Sequence, residues 1–194
     1  MSFNSVRTLL LAIAAIALPM LASAQTIPKE MGAARTVGLF NFLCLKHLPD
    51  LDGIERAAGF GEFDQLLNGD LVPYMPEIAH EALRGWRYHD HGEEYILTAL
   101  RSRADAAVGQ QMPAFAGAAG TTCSLRVPNT QPEPVLGELT RVMGRAADKT
   151  WQEGATRVYS WTHQQPDALS FVHYYVPESK GAKAVIEASV YLNK

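Results

Sequence analysis

The segment from Trp86 to Tyr95, WRYHDHGEEY, places two histidines on either side of Asp90, with Glu93 and Glu94 close behind. Imidazole nitrogens and carboxylate oxygens are the donors that transition metals choose. If the backbone is locally extended, His89 and His91 could share one ion, with Asp90, Glu93 or Glu94 as a further oxygen donor. A second reading needs no ion. Trp86 and Tyr88 alternate ahead of the segment and Tyr95 and Leu97 after it, so His89-Asp90-His91-Gly92 falls where a four-residue hairpin connection belongs. Gly92 would supply the positive φ of a tight turn. His80-Glu81 does not continue into an H-E-x-x-H pair, and no nearby cysteine or histidine completes a ligand set. The solvated turn is therefore the expectation, with a metal site at His89 and His91 as the alternative.

Cys44 and Cys123 are the only cysteines. They lack C-x-x-C spacing and sit among apolar neighbours, a setting that does not activate a thiol. In an oxidising compartment they are most simply a structural disulfide. Closing a loop of that length stabilises a fold by about 4 to 5 kcal/mol on the chain-entropy argument.

A third group lies near the C-terminus. If the last two hairpins close through Gln164 to Ala168 and Pro177 to Lys183, one face carries Val158, Ser160, Thr162, Val172, Tyr174, Val176, Ala184, Ile186, Ala188, Val190 and Leu192, and reads as core. The opposite face then carries Tyr159, Trp161, His163, Phe171, His173, Tyr175 and Tyr191, with Arg157 and Glu187 at intervals. Aromatic bodies with polar tips suit recognition of a partner or small ligand. Helices packed over that face as a second core layer are the competing reading.

The elements that must position these groups follow from hydrophobic period. AARTVGLFNFLCLKHL, Ala33 to Leu48, spaces Val37, Phe40 and Cys44 as a helix that Pro49-Asp50 stops, and a shorter helix is predicted over Leu51 to Ala58. Strands are predicted over 82–88, 94–101 and 121–127, then a helix over 133–149, then strands over 157–163, 169–176 and 184–192. Residues 103–120 read as a loop or frayed helix. The expected fold class is α+β: an antiparallel sheet of about six strands, with an N-terminal helical segment and one helix between two three-stranded halves.

The chain opens on MSFNSVRTLLLAIAAIALPMLASAQ, one arginine ahead of an apolar run and an Ala22-Ser23-Ala24 processing pattern. That is the form of a secretory signal peptide, and the run is shorter than the ~20 residues a membrane span needs. The expected organisation is a signal peptide at 1–24 and one globular domain at 25–194. Removing residues 1–24 from the 194 leaves 170, with 16 basic and 20 acidic side chains and no basic cluster. Nucleic acid and anionic membrane surfaces, which need a concentrated positive field, are poor partners for such a chain. Nucleophile-elbow, Walker, dinucleotide-binding and S-x-x-K signatures are all missing from the expected mature chain, so no cofactor is implied.

The helix FNFLCLKHLPD with Cys44 and Pro49, followed by a strand opening CSLRV at Cys123, resembles uncharacterised exported proteins and lipoproteins of Gram-negative bacteria. The resemblance implies a periplasmic address and pairing of Cys44 with Cys123, and it carries no activity. No cysteine follows the processing site, which sets this chain apart from the lipidated members. Two functions are left. One is a non-catalytic periplasmic module that binds a protein or small ligand of the cell envelope through an aromatic sheet face, such as a toxin neutraliser or envelope accessory. The other is a small metal-dependent hydrolase using His89 and His91.

Overall fold

Asp50 shows how locally the chain is punctuated. Its carboxylate accepts from the Asp52 backbone N–H at 3.1 Å and so caps the helix that follows. That helix, α2 (Leu51–Phe60), buries Leu51, Ile54, Ala57 and Ala58 along one stripe. The helix before it, α1 (Ala33–Phe40), buries Thr36, Val37 and Phe40 and continues into one wider turn over Asn41–Leu45, which carries the buried Leu43 and Cys44. The computed structural model describes residues 32–75, 78–128, 131–179 and 181–193. The leader and its cleavage pattern lie outside these residues.

One antiparallel sheet forms the body of the molecule. It contains β1 (Asp64–Gln65), β2 (His80–Asp90), β3 (Glu93–Arg103), β4 (Ala119–Pro128), β5 (Lys149–Glu153), β6 (Thr156–Gln164), β7 (Ala168–Pro177) and β8 (Lys183–Leu192), in the order β1-β2-β3-β4-β8-β7-β6-β5. Two meanders meet where β4 pairs with β8. The fold is thus α+β as the periodicity implies, but the sheet has eight strands where about six were expected, and the helix between the halves separates four strands from four. That helix, α5 (Pro132–Met143), starts with proline in its first turn and ends where Gly144 takes φ 70°. The expected continuation to Lys149 fails at Gly144, and residues 149–153 pair as an edge strand instead. Residues 103–120 include a short helix, α4 (Ala106–Gln111), capped by the Asp105 carboxylate on the Val108 N–H at 2.9 Å.

Cross-strand register sorts the side chains onto two faces. Trp86, Leu97, Leu125, Ile186, Tyr174 and Tyr159 lie opposite one another across β2, β3, β4, β8, β7 and β6, and Ala99, Cys123, Ala188, Val172 and Trp161 form the next row. These rows and the apolar stripes of α1, α2 and α5 make one continuous core. Cys44 and Cys123 form a disulfide with Cα atoms 5.5 Å apart, joining the N-terminal helical layer to a central strand. Thr121 on β4 adds a hydrogen bond of 3.0 Å to the Pro49 carbonyl. Among the described residues no helix is long and apolar enough to cross a membrane.

Candidate ligand-binding cavity

The other sheet face carries different rows. Leu100, Thr122, Ser189, Phe171 and Thr162 form one; Thr98, Ser124, Glu187, His173 and Ser160 the next; Ile96, Arg126, Val185, Tyr175 and Val158 the third. Hydroxyls and one carboxyl stand among the rings and aliphatic side chains here, whereas the helix-covered rows are aromatic and aliphatic. Over the N-terminal half this face is closed by residues 66–75, where Leu66, Leu71 and Tyr74 pack on Ile96. Gly85 permits that closure, because a Cβ there would collide with the Leu71 side chain. Over the C-terminal half it stays open as a cavity of about 1100 Å³, bounded by the α4 segment on one side and the edge strand β5 on the other. Its volume is in the range of pockets that hold small molecules.

The cavity has aromatic walls and a polar floor. Phe171 and His173 stack with ring centres 5.7 Å apart. Trp151 meets His173 edge-on at 6.0 Å, and Tyr191 meets Phe171 edge-on at 6.3 Å. Tyr191 can lie flat there because its cross-strand neighbour is Gly120, whose missing Cβ would stand 2.5 Å from the ring. On the floor, Ser124 donates to the Glu187 carboxylate at 2.7 Å, and Tyr175 hydrogen-bonds the same carboxylate. The Tyr175 hydroxyl also lies 3.1 Å from Nδ1 of His173, while Thr122 and Ser189 share a hydrogen bond of 2.8 Å. Burial governs the protonation states. It pushes His173 down to about 4, so the ring is neutral at pH 7. It pushes the Glu187 carboxyl up, against the opposing pull of the Ser124 hydrogen bond, Arg126 and the Tyr175 hydroxyl. The Tyr175 and Tyr191 phenols are raised as well, again chiefly by burial.

The six residues proposed from sequence as a recognition face divide between the two sides of the sheet. Phe171, His173 and Tyr175 line the cavity. Tyr159, Trp161 and His163 pair with Tyr174, Val172 and Ser170, so they point to the helix-covered side. Trp161 is only 1% exposed and its indole N–H donates to the Arg145 carbonyl at 2.9 Å. Tyr159 stacks on Tyr174 at 6.2 Å, and His163 is exposed near the strand end beside Gln165. The physical reason is a single residue of register. The hairpin closes on the pair Gln164 and Leu169, with the Gln165 N–H on the Ala168 carbonyl, leaving a four-residue connection where the sequence reading assumed five. A one-residue slip turns every side chain of β6 over. Val158, Ser160 and Thr162, read as core, belong to the open side.

Further cavity residues were legible only in part. Glu187 and Tyr191 were placed on the correct side of β8. Thr122 and Ser124 could have been found from the polar-apolar alternation against Cys123, Leu125 and Val127. Lys149 falls at the end of the helix expected over 133–149, and Trp151 in the stretch after it to which the sequence pattern assigns no element.

The histidine-rich segment forms the tip of β2 and β3. The strands continue to the pair Asp90 and Glu93, so the connection is the two-residue turn His91-Gly92, with φ 50° and 86°, rather than four residues. His89 is exposed and lies on the face opposite to Asp90, which turns inward to an ion pair with Arg35 of α1 at 3.5 Å. Among the described residues no three histidine, cysteine or carboxylate side chains are grouped as a metal would require. His89 and His91 are therefore not brought together with a third donor. Compared with known proteins, the chain matches no family model, no curated protein and no solved structure.

Proposed function

We propose that this protein is an exported, non-catalytic binding module that holds a small ligand, or a projecting group of an envelope partner, in the cavity on the open face of its sheet. One observation carries the reading: a concavity of about 1100 Å³ lined by Trp151, Phe171, His173, Tyr175 and Tyr191 over a hydroxyl-bearing floor. The helix-covered face closes its aromatic and aliphatic side chains under α1, α2 and α5, whereas here apolar bodies with hydrogen-bonding tips border an open concavity, as recognition sites do. Its His173 is desolvated and neutral and its Glu187 hydrogen-bonds hydroxyls, an arrangement suited to holding a ligand in one orientation. The periplasmic address is supported by the apolar leader in the sequence and by the disulfide that joins Cys44 to Cys123.

Trp151 reports on occupancy. It is 39% exposed at the rim, whereas Trp86 and Trp161 are buried. Native mass spectrometry of protein taken from the periplasm should show an adduct that leaves on denaturation, and rebinding should shift tryptophan emission in the parent but not in Trp151→Phe. Emission that responds equally in both proteins, or ligand retained after Phe171→Ala and Tyr175→Ala together, would place binding elsewhere.

A further inference from the structure

Resting on that reading of the cavity, we propose that its ligand is an organic cation, an alkylammonium group seated among the rings of Trp151, Phe171, Tyr175 and Tyr191 with the Glu187 carboxylate as counter-charge.

The charges that line the cavity are Asp105, Asp148, Glu153 and Glu187 against Lys149 alone. Two of the acids are already engaged. Asp148 pairs with Arg145 and accepts from the Thr162 N–H at 2.7 Å, while Asp105 caps α4. Glu187 differs in kind. It lies on the cavity floor, its side-chain partners there are the hydroxyls of Ser124 and Tyr175, and among the described residues it forms no ion pair. Arg126 is the cation nearest in effect, but its guanidinium stands over the Tyr74 ring, 5.5 Å from the centre, under the closed half of the face. A buried carboxylate without a cation is costly, so a cationic guest relieves the site while an anionic one would meet further negative charge. The walls point the same way. Aromatic faces attract ammonium groups through the ring quadrupole, more strongly where water is excluded.

The pairing also sets a pH response. The groups facing Glu187 are Ser124 and Arg126 on β4, His173 and Tyr175 on β7, Ser189 and Tyr191 on β8, Lys149 and Glu153 on β5, and Asp105 beside α4. His173 is neutral near pH 7, so it supplies no competing positive charge there. A cation held against Glu187 favours its ionised form and opposes the upward push of burial, so binding tightens as pH rises through the range in which this carboxyl ionises.

The test uses two probes of one shape, choline and its uncharged carbon isostere neohexanol, titrated into the purified full-length mature protein and read by Trp151 emission and calorimetry. Choline should bind roughly tenfold or more tightly than neohexanol, and Glu187→Gln should cut that preference severalfold. Choline affinity measured by calorimetry across acid pH should rise as Glu187 ionises, while neohexanol affinity should not follow that rise. Equal affinities or a preference for neohexanol would overturn the cationic assignment, and a choline preference undiminished in Glu187→Gln would overturn Glu187 as its counter-charge. Preference for neohexanol, or for an anionic probe such as phenylacetate, would still leave the cavity a binding site of another class. Failure of all three probes, together with absence of any adduct on the periplasmic protein, would overturn the cation and the binding function together.

Discussion

The two faces of the sheet are built from the same strands and do opposite things. On β7, Val172 and Tyr174 point into the core and are 5% and 1% exposed, while Phe171, His173 and Tyr175 alternate with them into the cavity. On β4, Cys123 and Leu125 hold the helical layer while Thr122 and Ser124 carry hydroxyls on the cavity side. The period of two along a strand lets neighbouring residues answer to different demands. The covered face packs aliphatic and aromatic side chains together because α1, α2 and α5 exclude water from it. The open face keeps hydroxyls, a carboxyl and rings that border the cavity.

That contrast is broken most forcefully at the staple. Cys44 and Cys123 are both fully buried and lie 79 positions apart. Replacing both with serine should lower unfolding free energy by about 4 kcal/mol on the chain-entropy argument, read by urea denaturation. A loss under about 1 kcal/mol would mean that helix packing alone holds the covered face together. Thiol labelling of denatured, unreduced protein should find no reactive cysteine.

Trp161 and Phe171 sharpen the contrast, since they occupy adjacent strands on opposite faces. Trp161→Ala removes a fully buried ring and a hydrogen bond to Arg145, so it should cost about 3 to 5 kcal/mol of stability. Phe171→Ala should cost about 1 kcal/mol, yet weaken ligand binding by about 2 kcal/mol or more. Reversal of that order in paired melting and binding measurements would mean that the faces are assigned the wrong way round.

His173 tests the open face by pH. Burial holds the folded ring at about 4 against an ordinary 6.5. As pH falls below 6.5 the unfolded chain takes up the proton first, so the contribution of His173 is full above that value and is lost progressively down to about 4. The lost contribution is on the order of 3 kcal/mol. Glu187 acts in the opposite sense: its raised pKa favours the folded state below its ordinary 4.5, and that contribution is lost as pH rises. The difference between the parent and His173→Gln isolates the histidine. From pH 7 through 5 to 4 the denaturation midpoint of the parent should fall relative to that of His173→Gln, and parallel curves would refute a desolvated imidazole.

The sequence made the elements legible where apolar residues recur at one period: Val37, Phe40 and Cys44 on the first helical segment, or Ile186, Ala188 and Val190 on β8. It also placed Phe171, His173, Tyr175, Glu187 and Tyr191 together. Register was not legible, because Tyr159, Trp161, Ser160 and Thr162 are each acceptable on either face of a strand. Only the length of the turn at Gln165 to Ala168 decides between them. Edge strands were lost for another reason. Lys149–Glu153 is exposed at every position, so it shows no alternation, and Asp64–Gln65 is too short to show any. The cavity itself depends on α4 and β5 approaching from opposite sides, a property of tertiary packing that no local pattern records.

The smallest effect is expected at the hairpin tip, which belongs to neither face. His89 is exposed on β2 and His91 is exposed in the turn, where its φ of 50° suits asparagine. Among the described residues its one charge contact is with Asp90 at 3.8 Å, and Asp90 also has Arg35. Changing both histidines to asparagine removes no packed group and keeps a residue that tolerates the left-handed turn. Stability should therefore change by only a few tenths of a kcal/mol, and binding in the cavity should not change. The measurement is a pair of urea curves with elemental analysis of both proteins, purified without a histidine tag. A transition metal bound stoichiometrically by the parent and lost from the double variant would restore the metal reading of WRYHDHGEEY, and a fall of several degrees in melting temperature would show that the tip contributes to the fold.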